Sequence, residues 1–436
     1  MSNNSRQYFR EDSFFDVPKD GDIIALKFIC NDFSKYGANL SAENYSTDGS
    51  RFIRTSDIDE DGKLSVDGVY IDEDLALEYK LKKGDFLLSR SGTLGRGYLY
   101  NELDGNCSYA GYLIKYSLNE LIVNPKFIFY CTKTSQFNGW LNYSVIEATI
   151  GNINGEKYAN LPLPIPSIEQ QNKIVHYLDR EIAKIDALIE KKTKLIALLE
   201  EKKKAVINQA VTKGLDTSVA MKDSGIEWLG EIPEHWHIER LKFLTNKVGS
   251  GVTPLGGANI YTDEGVLFLR SQNIYNDGLK LNDETYIPEE IHNDMKSSQV
   301  MKGDLLLNIT GGSIGRCFYF NLDIEANINQ HVCIIRVNNK ILYRYLHFLF
   351  VSFVGQYQID LLQYGGGREA ISFENIKNFV ISFPQSIEQQ EEIINFLDTE
   401  CSRFDKIKDK VKSAIDLLKD KRIAIISAAI NGEIEL

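Results

Sequence analysis

Few of the residues able to do chemistry are spaced to do it. The six histidines form no HExxH pair, and His235 and His237, two apart, would face opposite sides of a strand; both read as structural or surface side chains. The six cysteines (Cys30, Cys107, Cys131, Cys317, Cys333 and Cys401) are scattered without a CxxC pair. That pattern fits free thiols in a reducing compartment and argues against a disulfide framework or a zinc site. No GxxxxGKS/T phosphate loop occurs: GGSIGR at 311–316 lacks both the lysine and the spacing. Gly249-Ser250-Gly251 lacks the third glycine and the helix of a dinucleotide fingerprint, and reads as a turn. Asn124-Pro125-Lys126-Phe127 is not the Asn/Asp-Pro-Pro-aromatic motif expected of an amino-methyltransferase. Glu190-Lys191-Lys192 has the form of an ExK nuclease fragment but lies in a helical stretch with no partnering acid. No acid, base, nucleophile or metal set converges, so the chain reads as non-catalytic, with no metal and no cofactor of its own.

Bulk quantities bound the class. The 436 residues allow two to four domains at roughly 100–200 residues each. A hydrophobic fraction of 43%, with 22 Tyr and 22 Phe, supports sizeable cores and excludes a wholly disordered chain. Lys and Arg number 49 against 61 Asp and Glu, leaving −12, so any nucleic-acid surface must be local. No apolar run approaches the ~18 residues of a membrane span, and MSNNSRQYFRED lacks a secretory apolar core. The expectation is a soluble cytoplasmic protein.

The elements that would position functional residues come twice. SIEQQNKIVHYLD at 167–179 returns as SIEQQEEIINFLD at 386–398, an offset of 219 residues. Leu26-Lys27-Phe28 matches Leu241-Lys242-Phe243, with Pro18 matching Pro233 upstream. FIRTSDI at 52–58 matches FLRSQNI at 268–274, and KKGDFLLSRSGTLGR at 82–96 matches MKGDLLLNITGGSIGR at 301–316 with one insertion. The chain is thus a tandem duplication: a mixed α/β (α+β) segment and a long helix, twice. Boundaries fall at 1–166 for the first globular domain, 167–214 for its helix, and 215–236 for a linker and lead-in. The second globular domain is then 237–385 and its helix 386–436. DFLLSRS, DLLLNIT and HVCIIRV read as strands, and ILYRYLHFLFVSF as one helix.

Each long helix opens on a capping box, Ser167 with Gln170 and Ser386 with Gln389, and carries Glu169 or Glu388 in its first turn. Apolar positions then step by three and four. The first seam is Leu178, Ile182, Ile185, Ile189, Lys192, Ile196, Leu199, Lys203, Val206 and Ala210. The second is Leu397, Cys401, Phe404, Lys408, Val411, Ile415, Leu418, Arg422, Ile425 and Ala429. Two matched seams predict a mutual coiled coil. From Ser167 to Lys213 the rod would be on the order of 70 Å long, enough to hold two domains apart. Lys191, Lys192 and Lys202-Lys203-Lys204 read as a solvated face.

GIEWLGEIPEHWHIERLKFL at 225–244, GDLLLNITGGSIGR at 303–316 and the twice-occurring Ser-Ile-Glu-Gln-Gln resemble the specificity subunit of type I restriction–modification enzymes. The resemblance spans nearly the whole chain in order: target-recognition domain, spacer helix, and the same again. It implies a non-catalytic subunit whose two globular halves read the halves of a split double-stranded DNA target. It also implies an antiparallel coiled coil with pseudo-two-fold symmetry that sets the spacing and docks two methyltransferase (modification) subunits. Those subunits bind S-adenosylmethionine, and restriction/translocase subunits use ATP and Mg. One departure stands out: where the second copy has Trp228, Pro233 and Trp236, the first has Pro18 but Gly21 aligned with Trp236.

Under this resemblance the base-edge donors and acceptors should lie in the repeated loops. The first half offers Arg54, Ser56, Asp57, Arg90, Ser91, Thr93 and Arg96. The second offers Arg270, Gln272, Asn273, Asn308, Thr310, Ser313, Arg316 and Arg368. Pairs alike in both copies, Arg54/Arg270 and Arg96/Arg316, should hold phosphate or serve the fold. Pairs that differ, Asp57/Asn273 and Arg90/Ile309, are the better readers of sequence.

Overall fold

The computed structural model describes residues 14–17, 19–146, 152–254, 256–363 and 370–436. The chain packs as two units, Met1–Thr193 with Lys412–Leu436, and Lys194–Val411. Each unit therefore holds one globular segment and a portion of both long helices, unlike the linear division expected from sequence.

In the first unit, the apolar run DFLLS becomes strand Asp85–Ser89, buried along its whole length. It lies inside an antiparallel sheet ordered Lys35–Tyr36, Leu113–Ser117, Asp85–Ser89, Gly97–Leu99. Burial on both faces explains why the run does not alternate. One face, through Phe86, Leu88, Ile114 and Tyr116, packs on helix residues Phe127, Ile128 and Phe137. The same core takes Ile174 and Leu178 from the first long helix, and Ile426, Ala429 and Ile430 from the end of the second. The other face, through Leu87, Tyr98 and Leu113, meets Ile53 and Tyr109. These belong to a second sheet in which Ser50–Ile53 runs parallel to Cys107–Tyr109.

The second unit repeats the plan. Strand Leu305–Asn308 sits in the sheet ordered Thr245–Ser250, Val332–Val337, Leu305–Asn308, Cys317–Tyr319. Its core joins Leu305, Leu307, Cys333 and Ile335 to Tyr345 and Leu349, and to Ile207, Ala210, Val211 and Leu397 of the long helices. Val266–Leu269 runs parallel to Ala326–Ile328 in the neighbouring sheet.

The repeated Gly-Asp before each central strand has one physical cause. Buried Asp85 accepts hydrogen bonds from the Lys82 amide (2.9 Å), Lys115 Nζ (3.2 Å) and Ser117 Oγ (2.6 Å). Asp304 accepts from the Met301 amide (2.7 Å) and from the Arg336 fork at 2.7 and 2.8 Å. A buried carboxylate must be paired in this way, and the cation of the adjacent strand fixes the register.

The first long helix runs Ile168–Lys213 and the second Ile387–Ile430. Ser167 and Ser386 accept from the amides of Gln170 (3.3 Å) and Gln389 (3.1 Å), the serine half of each capping box. The heavier anchor is the next residue. Wholly buried Gln171 accepts from the Asn124 amide (2.8 Å) and donates to the carbonyls of Ile122 (3.2 Å) and Pro166 (2.9 Å). Gln390 does the same with Leu342 (2.8 Å), Lys340 (3.0 Å) and Pro384 (2.9 Å).

The seam residues are buried or half-buried: Leu178, Ile182, Ile185, Ile189, Ile196 and Leu199 on one helix, Leu397, Phe404, Val411, Ile415 and Leu418 on the other. In the second unit Lys203 pairs with Asp405 (2.8 Å) and Glu200 with Lys408 (2.7 Å), a descending register that makes the helices antiparallel there. In the first unit Arg422 pairs with Asp186 (3.0 Å) and with Asp61. Lys203 is therefore a seam contact and not part of a solvated face.

Two further expectations need correction. The segment 215–236 is no linker: Met221–Asp223 pairs with Glu231–Pro233, and Trp236 is wholly buried in the second core. The single helix expected around 341–353 is two, Tyr343–Val351 and Phe353–Gln363, divided at Ser352. In the first unit Phe15 fills the core, and Phe14 lies 5.8 Å from Tyr143 and over Gly139. The second unit instead sets Trp228 on Phe353 and Tyr357. Pro18 lies outside the described residues.

Candidate nucleic-acid interface

Strand directions bring the repeated loops to one rim in each unit. In the first, the C-terminal ends of Ser50–Ile53, Asp85–Ser89 and Cys107–Tyr109 meet the start of Leu113–Ser117. Main-chain bonds tie them: Ala110 to the Ile53 carbonyl (2.9 Å), Gly111 to Ala38 (2.8 Å), Arg90 to Tyr112 (2.9 Å) and Ile153 to Arg90 (3.0 Å). The second rim repeats three of these ties: Asn329 to Leu269 (3.1 Å), Ile309 to His331 (3.0 Å) and Ile371 to Ile309 (2.9 Å). Gly37 and Gly251 pass so close to the carbonyls of Tyr109 and Ile328 that a Cβ would collide with them, which explains glycine at both positions. The loop after each central strand closes identically, with Gly95 bonded to Ser89 (3.2 Å) and Gly315 to Asn308 (3.0 Å).

The candidate residues separate on this frame. Arg54 forks onto Asp57 at 3.0 and 2.7 Å, and Asp57, itself buried, accepts the Arg54 amide at 2.9 Å. Asn273 is equally buried; it accepts the Arg270 amide (2.9 Å) and donates to the Lys280 carbonyl (2.9 Å). The Asp57/Asn273 difference thus fills one structural role twice and does not place a reader at the surface. Asn308 is wholly buried and donates to the Ser271 carbonyl (2.8 Å), and Ile309 is buried. None of these four can reach a base edge.

Arg96 donates to the Ile58 carbonyl (2.7 Å), whereas Arg316 lies 4.9 Å over the Tyr275 ring, which Lys280 approaches to 3.8 Å. Gln272 donates to Asp283 (2.7 Å), which also approaches Arg270 at 3.5 Å. Ser56 and Thr93 are exposed, and Ser91, Thr310 and Ser313 half-buried, all at the rim. Arg368 lies outside the described residues. Arg90 is the most firmly held of the candidate side chains: its guanidinium lies 4.8 Å over the Tyr36 ring while Nε donates to Asn152 (3.3 Å). Stacking and that bond leave the two terminal nitrogens as a held fork, the geometry that matches guanine O6 and N7.

The sequence reading missed Tyr36, Tyr112, Asn152, Tyr275, Lys280, Gln330 and His331. Aligning CSYAGYLIKYS at 107–117 with ANINQHVCIIRV at 326–337 gives the missing signal for three of them, because both segments are strand, short connection, strand. Among the described residues, no group of three or more His, Cys, Asp or Glu is placed to hold a metal ion. Nor is any described helix long and apolar enough to cross a membrane.

A duplicated α/β scaffold that presents a loop rim twice, with unlike side chains on matching main-chain bonds, defines a tandem-repeat protein. The type I restriction modification DNA specificity domain matches residues 18–198 and 233–416, and the chain belongs to that family. It is 26% identical over 302 residues to the type I restriction enzyme EcoBI specificity subunit of Escherichia coli. That match spans 67% of this chain and 63% of the relative, less than two thirds of the relative's length. It is 23% identical to the type I restriction enzyme MjaVIII specificity subunit of Methanocaldococcus jannaschii over an alignment of 451 residues, 99% of this chain and 98% of the relative. A solved chain, described under complex assembly and conformational transition of the type I R-M system, shares the fold with a TM-score of 0.67. It is 18% identical, and the superposition covers 96% of this chain and 100% of that one.

Proposed function

We propose that this chain is the DNA sequence-specificity subunit of a type I restriction–modification complex, each rim reading one half of a bipartite duplex target. One observation carries the reading: the rim is built twice on matching main-chain bonds, while the side chains facing out of it differ. A split target with unlike halves needs that combination. Shared residues such as Arg316 hold phosphate, and divergent ones such as Arg90 discriminate bases. The chain contributes no catalytic residue. Two modification subunits dock along the paired helices, bind S-adenosylmethionine and methylate adenine in the cytoplasm. Restriction subunits supply ATP-driven translocation and cleavage with Mg.

A net charge of −12 is unfavourable for a surface whose affinity depends on releasing counterions from phosphate. The partners therefore supply much of the cationic clamp. Binding of duplex DNA by the lone chain and by its complex with the modification subunits tests this across a salt series. The complex should bind site-specifically and the lone chain weakly. Tight, strongly salt-dependent binding by the lone chain would refute the division of labour.

A further inference from the structure

The rim contains a short connection that neither the repeated loops nor the family reading singles out. In the first unit it is Ala110-Gly111-Tyr112, and in the second Asn329-Gln330-His331. Both sit at the same station, since Arg90 donates to the Tyr112 carbonyl and Ile309 to the His331 carbonyl at 2.9 and 3.0 Å. The side chains there differ in kind. Gly111 has none and Tyr112 is 65% exposed, whereas Gln330 is exposed beside half-buried His331.

In the second unit these residues form a chain of bonds. Thr310 Oγ1 lies 2.6 Å from His331 Nδ1, and Gln330 Nε2 lies 3.0 Å from His331 Nε2. With the amide donating, Nε2 of the imidazole accepts, and its proton sits on Nδ1, donated to Thr310. One N–H of Gln330 is consumed; the carbonyl oxygen and the second N–H have no further partner among the described residues. A held amide with adjacent acceptor and donor matches adenine N6 and N7 in the major groove. The fold does not need this amide: the connection is tied by main-chain bonds and by Asn329 Oδ1, which accepts the His331 amide at 3.1 Å.

We propose that Gln330 is a base-reading side chain of the second half-site, with adenine as its partner, and that His331 and Thr310 are its positioning residues. Tyr112 occupies the corresponding station for the first half-site. The inference rests on the chain being a DNA-specificity subunit. Its test is methylation of a randomised library of bipartite duplexes by the complex with its modification subunits, sequenced after selection.

Gln330→Ala should lower discrimination for adenine about tenfold at one position of one half-site, leaving the other half unchanged. His331→Ala should relax that same position, because it acts through the amide, and Tyr112→Ala should alter only the opposite half. An unchanged motif in Gln330→Ala, or a uniform loss at every position with an unchanged melting temperature, would overturn the assignment while leaving the specificity function intact. A wild-type complex with no motif dependent on this chain would overturn the underlying reading and the inference with it.

Discussion

His347 is buried against Phe318 and Tyr319, with Nδ1 3.9 Å from Cys317 Sγ. Burial first, and the Arg344 charge second, hold its pKa down to about 3 from 6.5. The unfolded chain takes up a proton below about 6.5 that the folded chain refuses until about 3, so stability falls as pH drops through that window. Between pH 7 and 5 the loss is about 2 kcal/mol at ~1.4 kcal/mol per pH unit. Phe129 holds this station in the first repeat, three residues after Lys126, which pairs with Asp179 as Arg344 pairs with Asp398. His347→Phe should remove that acid-dependent component in urea titrations at the two pH values; an undiminished slope would show that other groups carry it. At this scale sequence gave residue type but not depth. Asp57 and Asn273 looked like divergent readers because both are polar and unlike, yet each is consumed in the same turn. Arg90 is held in place by Tyr36 and Asn152, which are distant in sequence and so gave no signal of it.

At the scale of elements, the long helices were legible from period and caps, since spacing of three and four is a property of the chain itself. Their anchoring was not. The capping reading put weight on Gln170 and Gln389, but the buried bonds belong to Gln171 and Gln390, whose partners lie some 50 residues upstream. Gln171→Ala strands one amide and two carbonyls and should cost about 2–4 kcal/mol, whereas Gln170→Ala should cost under about 1 kcal/mol. Thermal or denaturant unfolding of the two variants checks this, and equal costs would contradict it. The seam ion pairs, Lys203–Asp405 and Asp186–Arg422, are partly exposed and contribute less than about 1 kcal/mol each, so they mark register while the apolar seam stabilises. The second sheet of each unit was missed as a layer, because its strands are two to four residues long and its parallel pair joins segments more than 50 residues apart.

At the scale of the whole molecule, the duplication was the most legible feature, and it organises everything else: one scaffold, one pair of anchors and one rim, each written twice. If helix length sets the distance between half-sites, deleting seven residues from both helices should shift or abolish the unread spacer, and an unchanged spacer would refute that role. The central claim is that this chain confers sequence specificity on an adenine methyltransferase. Mapping adenine methylation in the host genome, with and without this chain alongside its modification subunits, tests it most directly. The account predicts one bipartite motif, about a helical turn between half-site centres, that vanishes when the chain is deleted. Methylation that persists unchanged without it, or an active complex with no motif, would contradict the account.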